Sequence, residues 1–225
     1  MTVVAIVQAR MGSIRLPGKI LLPILGKPML EVIVDRVRDV ASVNVIVVAT
    51  SLSKQDDQIA HIVAGLPGIK LWRGSEEDVL NRYYEAALAN KAGVILRATA
   101  DNPFFHAKTA DALIDLLQQG FDYVANNLVR TFPYGIDLEV FRFEALARAN
   151  LHATEPYQRE HVTPYIRENP DSFRLGNLKL TEDLSHIRLT VDTEEDYYNA
   201  RAIFEQLGEN VQFEEIVQWQ RQSLH

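Results

Sequence analysis

Short β-branched apolar runs alternate along this chain with segments whose apolar positions recur every three or four residues. Val3, Val4, Ile6 and Val7 form the first run, with the length and continuity of a strand buried on both faces of a parallel sheet. Met29, Leu30, Ile33, Val34 and Val37 then fall at helical spacing between Lys27 and Val40, and Pro28 suits a first helical turn. Val43 to Ala49 reads as a second strand. Ser53, Lys54, Asp56 and Asp57 open a helix that Gly65 to Gly68 ends. A strand around Ile69 to Trp72 follows. The Ser75 and Asp78 spacing of a capping box then introduces a helix running through Asn90, and Val94 to Ala98 is a further strand. This repeated βα winding predicts an α/β fold.

The rhythm changes in the second half. From Tyr123 to Phe143 the pattern is of short extended pieces around Pro133 and Gly135, as in an inserted β hairpin or lid. Helical spacing returns at Phe143 to Asn150, and a second helix is predicted from Pro156 toward Asn169 and Pro170. Phe173 to Leu178 and Ile187 to Val191 read as strands. Thr193 begins a helix with Glu194, Glu195 and Asp196 in its first turn, and a last helix covers about Glu214 to Gln220. Tyr83, Tyr84, Tyr197 and Tyr198 sit within apolar helical patterns and read as packing residues.

Composition narrows the picture. The 225 residues, 47% of them hydrophobic, suffice for one sizeable core, and no linker or repeat interrupts them, so one domain over 1–225 is expected. The segment at 123–143 is its candidate lid or dimerisation element. The absence of cysteine excludes disulfides, thiolate nucleophiles and zinc–cysteine sites. With neither a signal-peptide pattern nor a bilayer-length apolar stretch, a soluble cytoplasmic protein is expected. A net charge of −7 argues against general nucleic-acid binding, so a locally basic loop points to a small anion.

That loop directly follows the first strand, at the strand's carboxyl end where open α/β sheets bind ligands. In VVAIVQARMGSIRLPGK, Arg10, Arg15 and Lys19 bring three cations, Ser13 brings a hydroxyl donor, and Gly12 and Gly18 let backbone amides approach an anion. A polyphosphate site is the reading, against a plain solvated basic loop. The pattern is neither GxxxxGK[ST] nor GxGxxG, which counts against a P-loop kinase and a dinucleotide dehydrogenase.

Two aspartates follow strand-like runs at the same expected sheet edge. Asp101 comes after VILRATA and Asp192 after IRLTV. Magnesium takes one or two protein carboxylates and completes its shell with water and phosphate oxygens, so two separated aspartates suffice. Asp192 also reads as an ordinary helix cap, and Asp101-Asn102-Pro103 as a plain turn.

Read in order, ARMGSIRLPGK, GKPML, VATS, RGSEEDVLNRYYEAA, RATADNPF, GIDLEVF, REHVTPYIRENP and LTVDTEED closely resemble the spore coat polysaccharide SpsF branch of the cytidylyltransferase family. Wider relatives are the 3-deoxy-manno-octulosonate and acylneuraminate cytidylyltransferases, which convert CTP and a sugar acid into a CMP-sugar. The resemblance implies a single-domain, Rossmann-like fold of the nucleotide-diphospho-sugar transferase type. It also implies a magnesium-dependent reaction releasing pyrophosphate, and a homodimer. By that resemblance Arg10, Ser13, Arg15 and Lys19 form the triphosphate clamp, and Gln8, Ala9 and Gly12 line the nucleotide. Thr50 and Ser75 line the base pocket, and Asp101 and Asp192 hold magnesium. Arg15, Lys19 and Asp101 are the catalytic candidates. Where the sugar-acid enzymes carry Gly-Asp-Glu-Pro this chain has Ala100-Asp101-Asn102-Pro103, which keeps the aspartate and loses the next carboxylate.

Acceptor candidates come from the irregular half. Asp137 and Glu139, two apart on a short strand, share one side and suit sugar hydroxyls, or else form a charged edge. Arg159, Glu160 and His161 open a helix, where Arg159 or His161 suits an acceptor carboxylate or phosphate. Asn126 reads as a turn residue or a sugar contact. The acceptor is then a sugar acid or sugar phosphate. The rival readings are a glycosyltransferase consuming a nucleotide-sugar, although the Asp-x-Asp of that class is absent after VILRATA, a nucleotidyltransferase using GTP or UTP, and a non-catalytic nucleotide-binding scaffold.

Overall fold

The computed structural model describes residues 1–223. Seven strands form one sheet in the order β5-β4-β1-β6-β8-β7-β9. They are β1 (Val3–Gln8), β4 (Val45–Ser51), β5 (Ile69–Gly74), β6 (Val94–Thr99), β7 (Tyr123–Ala125), β8 (Glu139–Arg142) and β9 (Leu175–Asn177). All the neighbouring pairs are parallel except those made by β8, which runs antiparallel to both β6 and β7. The segment 123–143 thus supplies an antiparallel pair, β7 and β8, that lies within the main sheet. Two short strands, β2 (Pro23–Ile24) and β3 (Lys27–Pro28), pair separately. Their turn places Leu25 and Gly26 at φ 50 and 82, as a tight two-residue hairpin requires.

Strand β1 lies inside the sheet between β4 and β6, and its side chains alternate between two apolar layers. Val3, Ala5 and Val7 face a layer shared with α1 (Met29–Arg38), α2 (Asp57–Ala64), α4 (Ala107–Gln118), α8 (Glu194–Leu207) and α9 (Phe213–Ser223). Val4 and Ile6 face the layer of α3 (Val79–Ala89), α5 (Phe143–His152) and α7 (Pro164–Glu168). Both faces are covered, which explains why the β1 sequence is continuously apolar. Tyr83 and Tyr197 are buried among these helices, whereas Tyr198 is exposed. No described helix is long and apolar enough to cross a membrane.

Four elements depart from the sequence pattern. Helix α4 was not anticipated, although its buried Ala110, Leu113, Ile114 and Leu117 carry the helical spacing. The helix expected from Pro156 to Asn169 is two helices, α6 (Pro156–His161) and α7, because Pro164 lacks the amide that a continuous helix needs there. Ile187 to Val191 is extended but makes one isolated bridge, Tyr134 with Arg188, instead of a ladder. Helix α3 is capped by Asp78, whose carboxylate accepts from Asn81 N (3.0 Å), while the Ser75 hydroxyl accepts from Asp78 N in the preceding turn.

Candidate active site

The loop after β1 leaves the sheet between β4 and β6, and its course is set by hydrogen bonds that the cations do not supply. Ala9 N donates to Ala49 O (3.2 Å), and Ser13 N donates to Met11 O (2.8 Å). Met11 N donates to the Asp56 carboxylate (2.8 Å). Asp56 is itself buried and accepts from the Thr50 hydroxyl (3.0 Å) and from the Ser51 hydroxyl and amide. Burial pushes its carboxyl up, but these bonds outweigh burial and hold it below the ordinary carboxylate range. Thr50 therefore braces the loop from beneath and is fully buried, which corrects its assignment to a base pocket. Gly18, at φ 69, turns the chain into a short 3-10 turn that begins with Lys19.

From that turn Lys19 reaches across the site. Its Nζ lies 3.3 Å from Asp101 Oδ2, 3.1 Å from Asp192 Oδ1 and 2.8 Å from the Val191 carbonyl oxygen. Two bonds to the Asp101 carbonyl oxygen hold the two aspartates together: Val191 N donates to it (2.8 Å), and so does the Thr190 hydroxyl (3.2 Å). Arg15 lies 3.0 Å from Asp192 Oδ1, and Arg188 lies 3.0 Å from Asp192 Oδ2. Burial raises the Asp192 carboxyl pKa, yet these cations outweigh it and hold the pKa below its ordinary value. Asp192 is not the helix cap. Thr193 takes that place in a reciprocal capping box with Asp196, leaving the Asp192 carboxylate free to face the cations.

A cavity of about 420 Å³ lies over this cluster. Gln8, Arg10, Gly12, Ser13, Arg15 and Lys19 line one side, while Arg97, His161, Asp101 and Asp192 arrive from other elements. Ala9 is buried beneath the loop and contributes only its backbone. A second cavity of about 340 Å³ shares Arg97, Thr99, Asp101 and Asp192 with the first, and adds Tyr134, Asp137, Glu139 and Arg188. The two chambers meet at the aspartates.

Of the acceptor candidates, Asp137 lines the second chamber, where it pairs with Arg130 (2.6 Å). Glu139 also borders it, but its oxygens are committed: they accept from Tyr123 Oη (2.6 Å) and Thr163 Oγ1 (2.7 Å) and pair with Arg97. Asn126 is fully buried and bonds to Ile136 O and Leu138 N, so it shapes the loop and does not reach sugar. Arg159 makes a two-point bond to Asp78 (3.0 and 2.7 Å) and donates to the Asn150 and Ala153 carbonyls, so its fork is consumed by the fold. Glu160 sits at the outer rim, 3.9 Å from Arg10. Ser75, tied into the turn before α3, lines neither chamber.

A cytidylyltransferase family model matches residues 4–223 of this chain. The chain belongs to the cytidylyltransferase family. Spore coat polysaccharide biosynthesis protein SpsF of Bacillus subtilis (strain 168) is 39% identical over 213 residues, covering 91% of this chain and 87% of that protein. A cytidylyltransferase structure from Leptospira borgpetersenii superposes with a TM-score of 0.94 at 32% identity, covering 99% of this chain and 95% of that one. A CMP:2-keto-3-deoxy-manno-octonic acid synthetase solved in complex with CTP shares the fold, with a TM-score of 0.70 at 21% identity over 92% of this chain and 99% of that one.

This cytidylyltransferase-family chain is therefore a nucleotidyltransferase, and its two aspartates can be tested as a cation site. Among the described residues no group of three or more His, Asp or Glu side chains converges on a metal position. The two carboxylates that Lys19 bridges are hard oxygen donors within reach of one common point. That set fits a magnesium ion whose remaining ligands are water and phosphate oxygens. Arg97 and Arg188 complete the chambers and were missed in the sequence. For Arg97 a signal existed, since a charge inside the apolar run VILRAT has to be paired or functional. Arg188 gives no comparable local signal.

Proposed function

We propose that this nucleotidyltransferase moves the cytidylyl group of CTP onto a sugar acid or sugar phosphate, with magnesium, releasing pyrophosphate in the assembly of a surface polysaccharide or related glycan. The observation that carries the reading is the position of Lys19. It joins the phosphate loop to Asp101 and Asp192 where the two chambers meet, as the transfer of a nucleotidyl group between two ligands requires. The CTP-bound synthetase of the same fold and the polysaccharide-pathway relative support the base and the setting.

In this reading the triphosphate lies in the larger chamber, along Arg10, Ser13, Arg15 and Lys19. The acceptor lies in the smaller one. An acceptor oxygen forms a bond to the α-phosphorus as the bond to pyrophosphate breaks, and the leaving oxygens keep the electron pair. Arg15 and Lys19 neutralise charge that grows on those oxygens. Asp101 and Asp192 would hold magnesium, which when bound adds Lewis-acid neutralisation at the phosphates. A sugar phosphate acceptor arrives already ionised and needs no general base, whereas a sugar acid attacks through a hydroxyl, whose proton passes to a base or to water as the bond to phosphorus forms. A homodimer belongs to the same proposal and is read by sedimentation.

The experiment is pyrophosphate release from CTP, GTP, UTP and ATP in turn, with magnesium and a panel of sugar acids and sugar phosphates. Release from CTP with an acidic sugar, lost on chelation, is the expected result. Release from GTP or UTP would replace the base and keep the mechanism, and consumption of a nucleotide-sugar instead would sink the proposal.

A further inference from the structure

One backbone feature beside the larger chamber lies outside ordinary conformational space. Val162, between α6 and α7, has φ 73 and ψ −56, and Thr163 N donates to His161 O at 2.9 Å. Those angles and that bond define the rarer, strained form of the γ-turn. A positive φ at a β-branched residue is a genuine outlier, because its Cβ substituents crowd the neighbouring peptide groups. Leu25 and Lys91 also have positive φ, 50 and 53, but both are exposed and neither is β-branched. Val162 is wholly buried, in the same apolar cluster as Tyr83, Ala149 and Ile166.

The residues on either side explain why the strain is kept. His161 is exposed and lines the larger chamber with Arg10, Arg15 and Lys19. Thr163 is buried, and its hydroxyl donates to Glu139 Oε1 at 2.7 Å. Glu139 is paired in turn with Arg97, which lines both chambers. One turn thus ties a side chain of the site to the floor beneath it. A helix continuing through Val162 would bring Pro164 into its interior and could not keep this arrangement.

We propose that the turn at Val162 is a positioning device for the transfer reaction: it holds the His161 imidazole at the phosphate chamber, while Thr163 anchors the turn to the Glu139–Arg97 pair. Val162 and Thr163 are positioning residues acting through His161. The inference rests on the reading of the larger chamber as the triphosphate site.

The test compares Val162→Ala with Val162→Gly. Both remove the buried methyl groups, but glycine also relaxes the backbone. At an unstrained position the glycine variant would be the less stable; here it is expected to melt at or above the alanine variant. In pyrophosphate release the alanine variant should stay within about threefold of the parent kcat, and the glycine variant should lose roughly ten- to a hundredfold at unchanged KM for CTP. Thr163→Ser should keep the rate and Thr163→Val should lose it. The His161 ring resonance, assigned with His161→Gln, should be one sharp line in the alanine variant and broadened or split in the glycine variant. Equal kcat in the two Val162 variants, or a glycine variant melting below the alanine one, would overturn the proposal. A parent protein inactive with every triphosphate would defeat the functional reading instead, and the ring line shape, which needs no ligand, would then decide the positioning claim alone.

Discussion

Arg15 lines the larger chamber and Arg159 a neighbouring cavity that shares Arg10 with it, and their surroundings differ in kind. The Arg15 side chain is 63% exposed and leans on Asp192, a carboxylate it shares with Lys19 and Arg188. Arg159 is 22% exposed, forks onto Asp78 and caps two backbone carbonyls. A guanidinium whose donors are saturated by the protein serves a ligand only by dismantling the corner it holds. One that shares a crowded carboxylate exchanges it for a phosphate at low cost. Glu139 repeats the saturated case among the acids, and Asp101, with its side chain 34% exposed, repeats the open one.

The contrast is sharpest at Glu139. Glu139→Gln leaves Arg97 buried without its counter-charge, and a loss of about 3–5 kcal/mol is expected in urea unfolding. The pH dependence follows from the same pair. Burial pushes the Glu139 carboxyl up, but Arg97, Tyr123 and Thr163 outweigh it and hold its pKa below 4.5. A depressed carboxyl adds stability above its unfolded pKa and loses it as pH falls through the folded value. The parent should therefore lose stability below about pH 4.5 more steeply than the glutamine variant.

Lys19→Ala and Arg15→Ala test the open set. Removing one electrostatic donor costs ~2.7–4 kcal/mol in a barrier, so each should lose about a hundredfold or more in pyrophosphate release. Arg15→Ala should leave the melting temperature nearly unchanged, since exposed ion pairs contribute about 0.2–1 kcal/mol. Arg159→Ala should show the reverse, a stability loss of about 1–3 kcal/mol from the orphaned Asp78 and carbonyl groups, with the rate largely kept. An Arg159→Ala enzyme that was stable and inactive would break the comparison. The smallest effect belongs to Arg201, whose exposed pair with Glu205 one helical turn on is expected to be worth about 0.3–0.5 kcal/mol on Arg201→Ala.

Gly135 shows how the irregular segment at 123–143 meets the run that leads to Asp192. At φ 98 it packs against the backbone of Leu189 and Thr190, where an added Cβ would collide. Gly135→Ala is expected to displace the segment that delivers Asp192, lowering both stability and rate. A variant with parental rate would show that Asp192 is held by the Asp101 backbone bonds alone.

The sequence by itself determined the βα order of the first hundred residues, the basic loop after the first strand with its cations, and the two aspartates at strand ends, because strand continuity, helical spacing and glycine placement are local properties of the chain. The family resemblance carried the same motifs to a reaction class. Tertiary structure alone decided which charges are open and which are spent. Arg159 lies 81 residues from Asp78, Lys19 lies 173 from Asp192, and Thr50 meets Asp56 beneath a loop whose own spacing names neither. It also decided that Thr193 caps α8 in place of Asp192, and that the chain breaks at Val162 where the pattern runs on toward Asn169. A side chain's partner is set by distance in space, and a hydrophobic pattern encodes which face is buried without encoding what lies opposite it.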